Sequence, residues 1–191
     1  MKKLLILVML VFFVAFCGAA QAKEEAKVLI AYFSYTGNTR LVALQIQKQI
    51  GGDLFEITTA KPYPRKYKDC VDIAKKEQND KARPPLGAEL KDKVKKDIAD
   101  YDVIFIGYPI WWGTLPQVLF TFLDKYDLKG KTIVPFCTHN GGRWARSLDD
   151  LKKTCPNSKF RDGITINGDS VRQSKNDVTK WLQKLEITNK K

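Results

Sequence analysis

Histidine is nearly absent: the 191-residue sequence has one, His139, together with four cysteines, none of them spaced as C-x-x-C. That count excludes a multi-histidine metal site, a Cys-rich zinc site and a thioredoxin-type dithiol. The nucleophile elbow G-x-S-x-G does not occur, so His139 is not the base of a hydrolase triad of that kind. Neither G-x-G-x-x-G nor the Gly-Lys-Ser/Thr ending of a nucleoside-triphosphate loop is present. Internal repeats and a domain-dividing linker are missing too, and the length suits one core. Acidic residues are sparse, 21 against 33 basic ones, which leaves a net charge of +12. Hydrophobic residues at 44% with 28% charged exclude a disordered chain, a collagen and a polytopic membrane protein.

The sequence opens with Met1-Lys2-Lys3, an unbroken apolar run from Leu4 to Phe16, and small residues at Ala20-Gln21-Ala22. This is the pattern of an export signal cleaved after Ala22, so residues 1–22 are set apart from the fold. Cleavage removes two lysines and lowers the net charge from +12 to +10. A periplasmic or other extracytoplasmic location follows. A retained anchor is the minor alternative, because Leu4 to Ala22 lies near the lower limit of the ~17–25 residues a span needs. Lipid attachment at Cys17 is a further one, although Phe16 stands where such signals carry a small residue.

The mature chain keeps Cys70, Cys137 and Cys155, an odd number whose pairing, if any, sequence does not choose. Cys137 ends an apolar run and reads as a buried small hydrophobe. From Lys129 onward fourteen Lys and Arg face six acids, and such a basic surface attracts anionic partners in a salt-dependent way.

Val28 to Phe33 is a continuous apolar run of strand length, as in a strand buried on both faces. Val42, Ile46 and Ile50 then recur at helical spacing until Gly51-Gly52 ends the helix. Leu54 to Ile57, Asp102 to Gly107, Thr132 to Cys137 and Gly163 to Ile166 supply four more strands. Pro135 lacks a ladder donor and is expected at a bulge or strand end. Helices are predicted over 66–81, 86–98, 116–126, 144–153 and 177–185. Strands alternating with helices imply parallel crossovers and an open α/β sheet covered on both faces.

Ligands of such sheets lie beyond the carboxyl ends of the strands. The first strand-to-helix loop, Ser34-Tyr35-Thr36-Gly37-Asn38-Thr39, offers hydroxyls, a glycine and the free N–H groups of a helix start, all suited to a phosphate. Arg40 is the only nearby cation, so neutral donors would hold it. The second loop, Tyr108-Pro109-Ile110-Trp111-Trp112-Gly113-Thr114-Leu115-Pro116, carries two tryptophans that either face a flat ring or plug the sheet against a helix. The third, Thr138-His139-Asn140-Gly141-Gly142-Arg143-Trp144, has two glycines that let backbone approach a ligand, beside His139, which could equally face solvent.

Taken in order, these three loops resemble those of the flavodoxins, specifically the short-chain, flavodoxin-like domain family, over about Lys27 to Leu185. The resemblance implies a three-layer, doubly wound fold over residues 27–187, with a five-stranded parallel sheet of order 2-1-3-4-5, and non-covalently bound FMN. It implies that Ser34, Thr36, Gly37, Asn38 and Thr39 hold the phosphate. Pro109, Ile110, Trp111, Trp112 and Gly113, with Thr138, His139, Asn140, Gly141 and Gly142, would then border the isoalloxazine. No catalytic residue and no metal ligand is assigned. The function implied is electron transfer between redox proteins, and the basic surface would select partners with acidic docking faces rather than nucleic acid. The alternative is an FMN-dependent NAD(P)H:quinone-type oxidoreductase; the absence of a second nucleotide motif favours the carrier. Stacking by Trp112 would lower the potential of the reduced ring, and Arg143 and Arg146 would raise it.

Overall fold

Alternation decides which face each strand residue covers, and here both faces are apolar. The computed structural model describes residues 24–189; the predicted export signal lies outside them. Strands β1 (Glu24–Ala26), β2 (Val28–Tyr32), β3 (Asp53–Glu56), β4 (Val103–Pro109), β5 (Thr132–His139), β6 (Lys159–Phe160), β7 (Ile164–Asn167) and β8 (Ile187–Asn189) alternate with helices α1 (Asn38–Ile50), α2 (Tyr67–Asn79), α3 (Leu90–Val94), α4 (Gln117–Lys125), α5 (Ser147–Thr154) and α6 (Lys175–Leu185). In β2, Leu29 and Ala31 join one buried cluster with α4 and α5, while Val28 and Ile30 join another with α1 and α6. A strand with helices on both sides reads as uninterrupted hydrophobicity for this reason.

The main sheet is parallel with spatial order β3-β2-β4-β5, followed by β6 and β7, both paired with β5. Counting β6 and β7 as one interrupted strand, the order is the expected 2-1-3-4-5. Pro135 corrects one expectation. It sits inside β5 opposite Ile106, neither at a bulge nor at an end. Its carbonyl faces Gly163, in the gap between β6 and β7, so the fifth strand is broken where Pro135 has no N–H to offer.

Other boundaries shift for physical reasons. The predicted helix 86–98 shrinks to α3, because the Pro85 carbonyl and the Gly87 N–H bond to Ala60 and Thr58 and hold that stretch extended. The turn at Trp144 does not join α5, which starts at Ser147. β4 and β5 run on through Pro109 and His139, so parts of the second and third loops are strand ends. A two-stranded parallel sheet of β1 and β8, unforeseen from sequence, joins the two ends of the described chain. Cys70, Cys137 and Cys155 are free and buried.

Candidate cofactor site

At the start of α1, Gly37 adopts the left-handed φ of 91° and has no side chain with which to cap the helix, and no acid occupies its first turn. The first N–H groups therefore have no partner inside the helix and the positive end of its dipole is uncompensated. A Cβ added at Gly37 would meet nothing within 4 Å, and the same is true at Gly141 and Gly142. The space over these three backbones is open, as an anion and a flat group would require. Ser34 turns its hydroxyl to the Arg40 N–H at 3.2 Å. Arg40 pairs through its guanidinium with Glu56, which leaves the loop with neutral donors. Thr36 is exposed and Asn38 half-buried.

The loops are knitted together by short contacts. The Thr39 and Thr138 hydroxyls share a buried hydrogen bond of 2.9 Å across 99 residues of sequence. The Ile110 N–H donates to the Thr138 carbonyl at 2.9 Å. Thr138 thus joins the loop after β2 and the loop after β4 through one residue of β5.

The loop sequence sets Trp111 and Trp112 side by side, with Trp112 the expected stacking residue, and the structure gives them different surroundings. Trp111 exchanges both backbone bonds with Thr114, closing a tight turn whose central residues, Trp112 and Gly113, have φ of 49° and 78°. Two successive left-handed residues reverse the chain within one step. Trp111 turns inward, edge-on to Phe33, Tyr35 and Tyr63 with centroids 5.1 to 5.8 Å away. Trp112 points outward and is 47% exposed. Helix α2 holds it in this strained conformation: its indole N–H donates to the Val71 carbonyl at 3.3 Å, its carbonyl accepts from Gln78 at 3.1 Å, and the Lys75 ammonium lies 4.5 Å from its ring centroid.

His139 closes β5, and its Nδ1 accepts the Gly141 N–H at 3.0 Å. That bond places the proton of the neutral ring on Nε2. Burial first, and then the Arg143 charge, hold its pKa below the ordinary histidine value. Arg146 pairs with Asp150 at 3.2 Å, and the Arg146 N–H donates to the Gly113 carbonyl, tying the third loop to the second. Asn140 is exposed beside the open glycines.

Sequence reasoning missed two contributors. Asn167-Gly168, at the end of β7, forms a fourth loop in which Gly168 lies against the Asn38 amide and the His139 carbonyl. The rule that points to strand ends would have found it. Helix α2 was missed as a support of Trp112, because no local signal records that contact.

The sequence model of the flavodoxin family matches residues 27–185. The chain belongs to the flavodoxin family. Flavodoxin 1 of Shigella flexneri is 27% identical over 144 residues, which is 73% of this chain and 65% of the relative. The chain thus spans a little under two thirds of the length of the curated flavodoxins it first matches. A flavoprotein structure from Bacteroides eggerthii is 34% identical with a TM-score of 0.73, covering 86% of this chain and all of that one. A flavoprotein from Lactobacillus acidophilus, solved in complex with FMN, shares the fold at 23% identity and a TM-score of 0.64, over 79% of this chain and 99% of its own. For this flavodoxin, then, the three knitted loops lie where the sheet's carboxyl ends place a cofactor.

Proposed function

We propose that this flavodoxin binds FMN and carries electrons between redox proteins outside the cytoplasm. The observation that carries the reading is the start of α1, with a glycine N-cap, no first-turn acid and open space over Gly37, with Trp112 presented at the rim. Ser34, Thr36, Asn38 and the first N–H groups of α1 would hold the phosphate. Pro109 to Gly113 and Thr138 to Gly142 would border the ring. FMN supplies one- and two-electron chemistry when bound. The chain's own part is to bind, orient and exclude. Thr138 fixes the spacing of the loops, α2 fixes Trp112, and the Nε2 proton of His139 is left free to donate a hydrogen bond.

Docking is the second element of the proposal. Lys75, Arg143 and Arg146 stand near Trp112, its Gly113 neighbour and His139, and the C-terminal part of the sequence is basic. An acidic partner would be steered to this rim in a salt-dependent manner. The pattern of residues 1–22 supports export.

The test starts from protein beginning at Lys23, its visible spectrum, and chromophore released by heat. Bound FMN is expected, and photoreduced protein is expected to pass electrons faster to an acidic acceptor protein than to a basic one, with the advantage fading at high salt. A colourless protein that refuses added FMN would remove the reading. Steady-state NAD(P)H oxidation with a quinone would make it an oxidoreductase instead.

A further inference from the structure

Beside the phosphate loop, on the side away from the third loop, lies a cavity of about 530 Å³. Its lining comes from the loop after β2 and from the connection between β3 and α2, and includes none of residues 109–113 or 138–142. It is therefore separate from the flavin-ring loops, although its lining includes Ser34 and Thr36 of the phosphate loop. Phe33, Tyr35, Tyr63 and Tyr67 provide aromatic walls, and Arg65 is the one charged residue of the lining. Among the described contacts the Arg65 guanidinium has no hydrogen-bond or ion-pair partner, whereas its neighbour Lys66 pairs with Asp69.

The walls are held in place. The Tyr35 hydroxyl donates to the Pro64 carbonyl at 2.7 Å, and the Tyr63 hydroxyl donates to Glu77 on α2 at 2.7 Å. Phe33 and Tyr63 meet edge to face at 5.8 Å, and Trp111 packs edge-on against both from behind. Only Tyr67 is loose, at 71% exposure, on the rim. Rigid aromatic walls beside one exposed arginine, whose guanidinium has no partner among the described contacts, select a flat ring that carries a negative charge. The volume falls within the range of small-molecule sites.

We infer that this cavity is a second ligand site that takes a planar aromatic carboxylate or similar aromatic anion, independently of FMN. The inference goes beyond the electron-carrier reading and does not rest on it. Calorimetric titration of FMN-saturated and FMN-free protein with 2-naphthoate tests it, with uncharged 2-naphthalenemethanol as the control. Naphthoate is expected to bind both forms, no more than a few-fold more weakly when the FMN phosphate adds its charge beside Ser34 and Thr36, and the alcohol about tenfold more weakly than naphthoate. Arg65→Gln should abolish that tenfold preference and leave FMN affinity unchanged, while Tyr67→Ala should weaken both ligands together. Both side chains are exposed, so neither variant threatens the fold. Failure of naphthoate to bind, its displacement by FMN, or full charge preference in Arg65→Gln would each overturn the inference. FMN binding is read separately from its own spectrum, so the two readings fail independently.

Discussion

Replacing Thr39 with valine strands a hydroxyl. Thr39 and Thr138 are 1% and 4% exposed, and each is the other's side-chain partner at 2.9 Å. Valine keeps the shape of threonine and removes one oxygen, so in Thr39→Val the Thr138 hydroxyl remains buried without its partner. An orphaned buried polar group costs about 1–3 kcal/mol, whereas replacing both partners by apolar groups of the same shape is nearly neutral. Each single variant should therefore lose about 2 kcal/mol, and the double variant Thr39→Val/Thr138→Val should return to near wild type. With a urea dependence of about 2 kcal/mol per molar, each single variant melts about 1 M earlier. Urea melts of FMN-free protein, closed into a double-mutant cycle, give the coupling directly. A double variant as unstable as the sum of the singles would refute the reasoning and leave the loops held by something else.

Gly37→Ala should lose about 1 kcal/mol, because alanine is strained at a φ of 91° although its methyl meets no atom. Its affinity for FMN, followed by quenching of flavin fluorescence, should fall by about tenfold or more, since the methyl enters the space left for the phosphate. The lowered pKa of His139 fixes a sign for pH. The unfolded chain takes up the proton first, so this contribution to stability is complete above the ordinary histidine pKa of about 6.5 and is lost as pH falls below it. Protonation also removes the acceptor of the Gly141 N–H. His139→Asn should flatten thermal stability between about pH 7 and 5, and the single histidine makes its NMR titration unambiguous. Arg143→Gln should make the second reduction step of the flavin more negative in a spectroelectrochemical titration. Arg146→Gln should do so less, because Asp150 already offsets its charge.

Much of the fold was legible because its strands are buried on both faces and stand out as continuous apolar runs. Local pattern failed where long-range backbone bonding overrode it. The helix predicted over 86–98 starts too early, because Pro85 and Gly87 are drawn alongside Thr58 to Ala60. Pro135 was legible as a missing donor, but not as a missing donor that faces a break in the neighbouring strand. At the site, strand ends pointed to the three loops. The division of labour between Trp111 and Trp112 depends on a turn that reverses within two residues, and hydrophobicity carries no sign of it. The aromatic cavity draws its walls from segments about thirty residues apart, each ordinary when read alone.

The small β1–β8 sheet has an architectural consequence. Asn189 of β8 accepts the Val28 N–H at the entry to β2, so both ends of the described chain meet at the amino pole of the main sheet, opposite the loops that gather around Thr138. Whatever is joined at either end, whether a reporter, a surface linkage or a leader that stays attached, would hang from the blind pole. A sensor built on this chain could be immobilised through either end with its reactive rim facing solution, and one attachment chemistry would give every molecule the same orientation.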